Sequence, residues 1–303
     1  LDLIRGDWRY YNYTLSTDKD DPSDDGTKVE INSVNLIENE TRQPIPYRMP
    51  PGVRRERINT NNTLVEQNEQ ALSYIVDNLE NNDSRAVYKA MRFDLRQYKY
   101  IKMFVHAEAY KNKPLNDNQA VAFLRVGTDF NDNYYQVEVP LQVTPAGAST
   151  EQLIWPQNNQ LVIPMDVLTK LKAISIRNQT MSDAVYYDAN FNVVPESAPH
   201  VAGQNRYVIK GNPSLGSVRA VMIGVKNVSG SNGLSGEYWF NELRVAELEN
   251  HGGWAAVGSL DANASELMNI SATGRMHTVG FGAVDQAPNQ RALESTREYD
   301  VMT

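Results

Sequence analysis

From residue 95 to residue 141 the chain alternates apolar and polar side chains with a period of two, in three runs separated by polar turns. Ile101, Met103 and Val105 make the first run. Val121, Phe123 and the pair Arg125 and Val126 follow a turn at residues 115–119, and Tyr135, Val137 and Val139 then alternate with Gln136 and Glu138. Successive side chains of a strand point to opposite faces, so the pattern demands antiparallel strands with one buried and one wetted face. The signature returns in "SVRAVMIGVKN" and "GEYWFNELRV", separated by the turn-rich "VSGSNGLSG". The expectation is an all-β protein whose residues 72–245 form one two-sheet antiparallel β-sandwich. Its expected core includes Ile101, Val105, Phe123, Val137, Val139, Ile223, Trp239 and Leu243.

At 303 residues the chain is long enough for one large core or two smaller ones. Its 29 Lys+Arg against 37 Asp+Glu leave a net charge of -8, which argues against a nucleic-acid partner and disfavours acidic substrates. Cysteine is absent, so disulfides, Cys-type zinc centres and thiolate catalysis are excluded. No run approaches the ~20 apolar residues of a spanning helix, whereas membrane β-strands leave a much weaker signal. A chain beginning at Leu1, with no initiator Met or secretion leader, is expected to be an excised fragment or a processed product.

Three regions differ in character: 1–71, 72–248 and 249–303. The first holds an aromatic strand, "WRYYNYTL", and the acidic "STDKDDPSDDG", expected to be flexible and free of an essential metal because it lacks the glycine and distant glutamate of an EF-hand loop. A strand at residues 29–37 and the Pro-punctuated "QPIPYRMPPGVRRER" follow. In the sandwich, residues 178–206 read as an overlong loop, functional or mobile, and "PMDVLTKLK" as the one short helix, over 165–171. After residue 249 small apolar residues alternate with polar ones: Leu260, Ala262 and Ala264 against Ser259, Asp261 and Asn263, then Ile270, Ala272 and Met276 against Ser271, Thr273 and Arg275. This is a hairpin pattern, open between an edge hairpin of a soluble sandwich and strands of an outer-membrane barrel with Trp254 leading in.

Catalytic patterns are missing. The four histidines His106, His200, His251 and His277 are scattered, no HExxH or nucleophile elbow occurs, and "GSNGLSG" precedes a strand and not a helix. Asp129 and Asp132 in "GTDFNDNYYQ" read more simply as a hairpin turn than as a carboxylate pair. The chain is therefore read as non-catalytic. For sugar binding, which needs an aromatic platform beside hydrogen-bonding groups, the candidates are Trp155, Tyr186 and Tyr187, the last two beside Asp183, Asp188 and Asn190.

Long collinear blocks, among them "PIPYRMPPGVRRER", "FLRVGTDFNDNYYQVEVPL", "GEYWFNELRV" and "GGWAAVGSLDANASELMNISATGRMHTVGFGAVDQ", resemble the SprA/Sov cell-surface proteins of gliding motility and type IX secretion. The resemblance spans roughly residues 45–286. It implies a fragment of an outer-membrane protein-export translocon, at the cell surface or on the periplasmic face, working with other secretion-system proteins and exported cargo proteins. It also implies a sandwich inserted between strands of the parent barrel.

The strand order ending in "GEYWFNELRV" further resembles galactose-binding-like jelly rolls, whose last strand commonly ends in an acidic pair and an aliphatic residue. Here those positions are Asn241, Glu242 and Leu243. That resemblance implies, at most, a structural calcium held by Glu69 and Glu242, and Asn241 departs from the usual acid. The leading functional reading is a translocon module that shapes the pore mouth and contacts partners or cargo, and the alternative is a carbohydrate-binding jelly roll.

Overall fold

The computed structural model describes residues 8–11, 15, 26–55, 57–60, 63–66, 68–111, 113–248, 252–264, 268–283, 286, 290–292 and 294–302. The acidic segment 16–25, Tyr13 and His251, each singled out in the sequence, lie outside these. The described strands are β1 (Arg9–Tyr11), β2 (Lys28–Asn35), β3 (Arg57–Thr60), β4 (Thr63–Glu66), β5 (Gln70–Leu79) and β6 (Ser84–Phe93). Then come β7 (Tyr98–Ala109), β8 (Ala120–Gly127), β9 (Tyr134–Pro140), β10 (Leu161–Pro164), β11 (Val185–Tyr187) and β12 (Val193–Val194). The last are β13 (Arg206–Lys210), β14 (Val218–Asn227), β15 (Leu234–Leu248), β16 (Ala255–Ala264), β17 (Met268–His277) and β18 (Thr296–Met302).

Residues 1–95 and 100–246 form one compact unit. It contains an eight-stranded sheet, β1-β6-β14-β8-β9-β13-β11-β12, and a five-stranded sheet, β10-β7-β15-β5-β2. The chain changes sheet from β5 to β6, again to β7 and again to β8, and returns from β14 to β15, which is the interleaving of a jelly roll. The expected antiparallel sandwich is thus present, and its eight expected core residues are all at most 2% exposed. The segment before residue 72, expected as a lead-in, supplies an edge strand to each sheet: β1 pairs with β6 and β2 with β5.

Register assigns the faces of the larger sheet. Ile223, Leu124, Val137, Tyr207 and Tyr187 stand opposite one another in one row, all buried. The neighbouring rows, Met222-Arg125-Gln136-Val208-Tyr186 and Gly224-Phe123-Glu138-Arg206, belong to the other face. That face was expected to be wetted, yet Gln136 is 7% and Glu138 1% exposed, because segments outside the strands fold back over it. The smaller sheet is covered likewise: Ile45, Tyr47 and Val53 of the proline-rich segment, with Ala148, Ile154 and Trp155, pack against Phe104 and Trp239. Alternation reports the strand, whereas burial depends on what distant segments lie over it.

Helix content exceeds the one short helix expected. The helix at 165 continues to Asn178, and single-turn helices occur at Leu36–Asn39 and Glu151–Ile154. Its buried face is Met165, Leu168, Leu171 and Ser175, so a serine takes the core position of the later turns while Ile176 is half exposed, which hides the apolar stripe. It ends where Gln179 turns left-handed at φ 54° and its N–H reaches the Ile176 and Ser175 carbonyls. The overlong loop at 178–206 contains β11 and β12, which extend the larger sheet.

The second unit comprises residues 96–99 and 247–303. The expected hairpin is there as β16 and β17, ten residues each in unbroken register from Ala255↔His277 to Ala264↔Met268. A third strand, β18, pairs with β17 from Ser271↔Met302 to His277↔Thr296.

Candidate functional site

The outward face of the eight-stranded sheet carries the densest polar chemistry. Charged residues on β8, β9, β13 and β14 are brought there by strand parity alone, since Arg125 opposes Gln136 and Glu138 opposes Arg206. Arg125 donates from Nε to Gln136 Oε1 at 2.7 Å and from Nη1 to the Phe130 carbonyl at 2.6 Å, and its guanidinium lies 4.0 Å from the centre of the Tyr134 ring. Gln136 Nε2 donates to Glu138 Oε1 at 2.7 Å. The other Glu138 oxygen accepts Arg206 Nε at 2.7 Å, meets Arg206 Nη2 at 2.6 Å and His200 Nε2 at 2.8 Å. Burial alone would raise the Glu138 carboxyl; the His200 hydrogen bond and the Arg206 and Lys226 charges outweigh it and hold the group down at about 2.

This network also pins the segment after β12. Arg206 Nη1 donates to the carbonyls of Glu196 and Ala198 at 2.8 and 3.1 Å, and Lys226 Nζ pairs with Glu196 Oε1 at 2.7 Å. Upstream, Asp188 Oδ1 accepts the N–H groups of Asn190 and Asn192 at 2.8 Å each, closing the turn between β11 and β12. Between this region and the sheet runs a groove of about 840 Å³, lined by Arg125, Asn131, Tyr134, Ser182, Tyr186 and Lys210 among others.

The sequence-predicted binding residues do not meet. Trp155 is no exposed platform: it is 3% exposed, donates from Nε1 to the Arg48 carbonyl at 2.7 Å and packs edge-on against Tyr47, Phe104 and His106. Tyr186 and Tyr187 are neighbours on β11 and so face opposite ways. Tyr187 is in the core, while Tyr186 lines the groove 5.1 Å from the Arg206 guanidinium. Burial first, then the Glu196 and Glu138 carboxylates, raise the Tyr186 phenol and keep it protonated.

Glu69 and Glu242 make a poor calcium cradle. Glu69 accepts the Tyr47 hydroxyl at 2.5 Å and Asn241 Nδ2 at 2.5 Å, whereas Glu242 pairs with Arg244 at 2.9 Å. Asn241 turns its donor side to Glu69, and its own oxygen accepts the Glu242 N–H at 2.7 Å. Calcium needs six or more oxygens, and among the described residues no group of three His, Asp or Glu side chains converges. The residues present therefore do not fit the ion.

Sequence reading overlooked Arg125, Glu138, Arg206 and the tie from His200. The available signal was Gln136 and Glu138 at the two middle outward positions of "YYQVEVP", with Gln136 opposite Arg125 on the preceding strand. Among the described residues no helix is long and apolar enough to cross a membrane, which leaves strand-built crossing open. The sequence matches the family SprA_N, described as motility related/secretion protein, over residues 1–303. No curated protein matches it.

Proposed function

From the premise that this chain belongs to the SprA_N family of motility related/secretion proteins, we propose that it is a non-catalytic part of an outer-membrane protein-export translocon. In this reading it serves type IX secretion, its second unit is a stretch of barrel wall, and its sandwich shapes the pore mouth and contacts partner secretion proteins or cargo. Membership itself assigns a motility- or secretion-related role; the rest is our reading.

One observation carries it. In the three-stranded sheet Ala256, Gly258, Leu260, Ala262, Ile270, Ala272, Gly274, Met276, Tyr299 and Val301 fall on one face by register, with Arg297 the exception near its end. The opposite face holds Ser259, Asp261, Ser271, Thr273, Arg275, Glu298 and Asp300, with Val257 and Met302 as its apolar exceptions. Leu260 is 64%, Val301 64% and Tyr299 78% exposed, so the apolar face covers no core. A three-stranded sheet with an uncovered apolar face is a liability in water, whereas strands of about ten residues, apolar outside and polar inside, suit a membrane barrel.

The chain has no cysteine of its own, so single cysteines report cleanly. In intact outer membranes, cysteines at 260, 272 and 301 should react with lipid-soluble probes, and those at 259, 261 and 273 with membrane-impermeant maleimide. Equal reactivity of both sets towards the aqueous reagent would overturn the membrane reading. Cross-linkers at Val193 and Val201, both more than half exposed, should capture secretion partners or cargo in cells; an empty result there counts against the contact role.

A further inference from the structure

Arg125 carries a permanent positive charge in a buried position, 7% exposed, with no carboxylate partner among the described residues. It is held by a neutral amide, a backbone carbonyl and the face of Tyr134. An arginine does not shed its proton to escape burial, and a buried charge without a counter-ion is costly. The neighbouring buried arginine, Arg206, has Glu138 for that purpose. Arg125 instead lines the groove, together with Lys210, whose acid partner among the described residues, Asp132, lies 3.5 Å away and is largely in water. The groove lining sets Arg125 and Lys210 against Asp183 and Glu196, and Glu196 is already taken by Lys226; its positive end is therefore local, on either side of Tyr134, which faces Lys210 across the strands and carries the Arg125 guanidinium on its ring.

The remaining lining describes the rest of the ligand. Thr180, Ser182, Asn131 and Asp183 offer hydroxyl, amide and carboxylate partners, beside the phenol rings of Tyr134 and Tyr186. Aromatic rings flanked by short polar groups suit a sugar ring, which has apolar faces and a hydroxyl rim. A peptide adding as a strand is disfavoured: the sheet edge here is the two-residue β12, and Pro195 follows it without an N–H to offer.

We propose that this groove binds a saccharide bearing a carboxylate, a uronic acid or comparable acidic sugar, with Arg125 pairing to the carboxylate and Lys210 assisting. The proposal stands apart from the membrane placement of the second unit and does not depend on it.

The test uses the full chain in detergent, titrated calorimetrically with D-glucuronate, trigalacturonate, their neutral glucose and galactose counterparts, and a short peptide with a free C-terminal carboxylate. Acidic sugars should bind at least ~10-fold more tightly than neutral ones, with affinity falling as salt rises and as the ligand carboxyl protonates near pH 3 to 4. Arg125→Gln should abolish that preference. Because this change touches a buried network, Ser182→Trp, an exposed position on the groove wall, serves as the second variant and should block binding with unchanged thermal unfolding. No acidic-sugar binding at millimolar ligand, equal binding of neutral sugars, tighter binding of the peptide, or uronate binding that survives Ser182→Trp would each overturn the proposal.

Discussion

His106 lies flat on Trp239, their ring centroids 4.0 Å apart and their planes 24° from parallel. Both are fully buried on the face of the smaller sheet that the proline-rich segment covers. Trp239 Nε1 donates to Glu237 at 2.8 Å, and Glu237 also receives Ser73 Oγ at 2.8 Å and Arg42 Nη2 at 2.6 Å. Arg42 reaches Glu108 as well, at 2.7 Å, and stands 5.2 Å from the Trp239 ring. A segment far away in sequence is thus latched to the sheet by one arginine between two carboxylates.

Trp239→Ala should cost about 3 to 5 kcal/mol of unfolding free energy, since it leaves a large cavity and removes a donor from Glu237. Urea denaturation of the full chain in detergent measures it. A loss under 1 kcal/mol would mean that the covering segment collapses into the space.

His106 and Glu108 should tilt the pH dependence in opposite senses. Burial pushes the His106 imidazole down to about 3, with the Arg42 charge adding to it against the Ile154 carbonyl. The unfolded chain takes up that proton first, so stability held above pH 6.5 is lost as pH falls towards 3. Burial pushes Glu108 up to about 7, assisted by Glu237 and opposed by Arg42, so its contribution is full below about 4.5 and lost as pH rises through 7. Glu108→Gln should flatten the fall in stability between about pH 4.5 and 7, and His106→Asn the opposing loss below pH 6.5, read from denaturation midpoints across pH 4 to 9.

Arg206→Gln should destabilise by about 3 to 5 kcal/mol by leaving Glu138 buried without its main counter-ion. The Glu138 carboxyl is depressed to about 2, so its stabilisation is present above the ordinary glutamate range and disappears as pH falls from about 4.5 to 2. Glu138→Gln should lose that acid limb. The same variants should loosen residues 196–204, seen as faster amide exchange there than in β9.

On the membrane reading, Leu260→Arg should cost about 2 to 4 kcal/mol of folding free energy in lipid vesicles, and Ser259→Arg close to nothing, because adjacent positions face lipid and lumen. Equal costs would remove the sidedness on which that reading rests.

Alternation in "YKYIKMFVHAE" and "YYQVEVP" was enough to assign strands and the inward Ile101, Val105, Val137 and Val139, because a pleated strand has a period of two wherever it sits; in "AVAFLRVG", buried throughout, it gave the strand but set Phe123 inward, whereas that ring stands in the outward row with Glu138. The small-apolar against polar pattern after residue 254 was legible for the same reason. What covers an outward face is a long-range matter, and so Trp155 turned inward, Tyr186 parted from Tyr187, and Gln136 and Glu138 went dry although their own strand reads half polar. Local sequence determined which residues share a face. Only the tertiary structure decided which faces see water, because the segments around 45–53, 148–155 and 195–204 return over sheets far from them in sequence, and the cost of burying a charge is set by the partner it meets there.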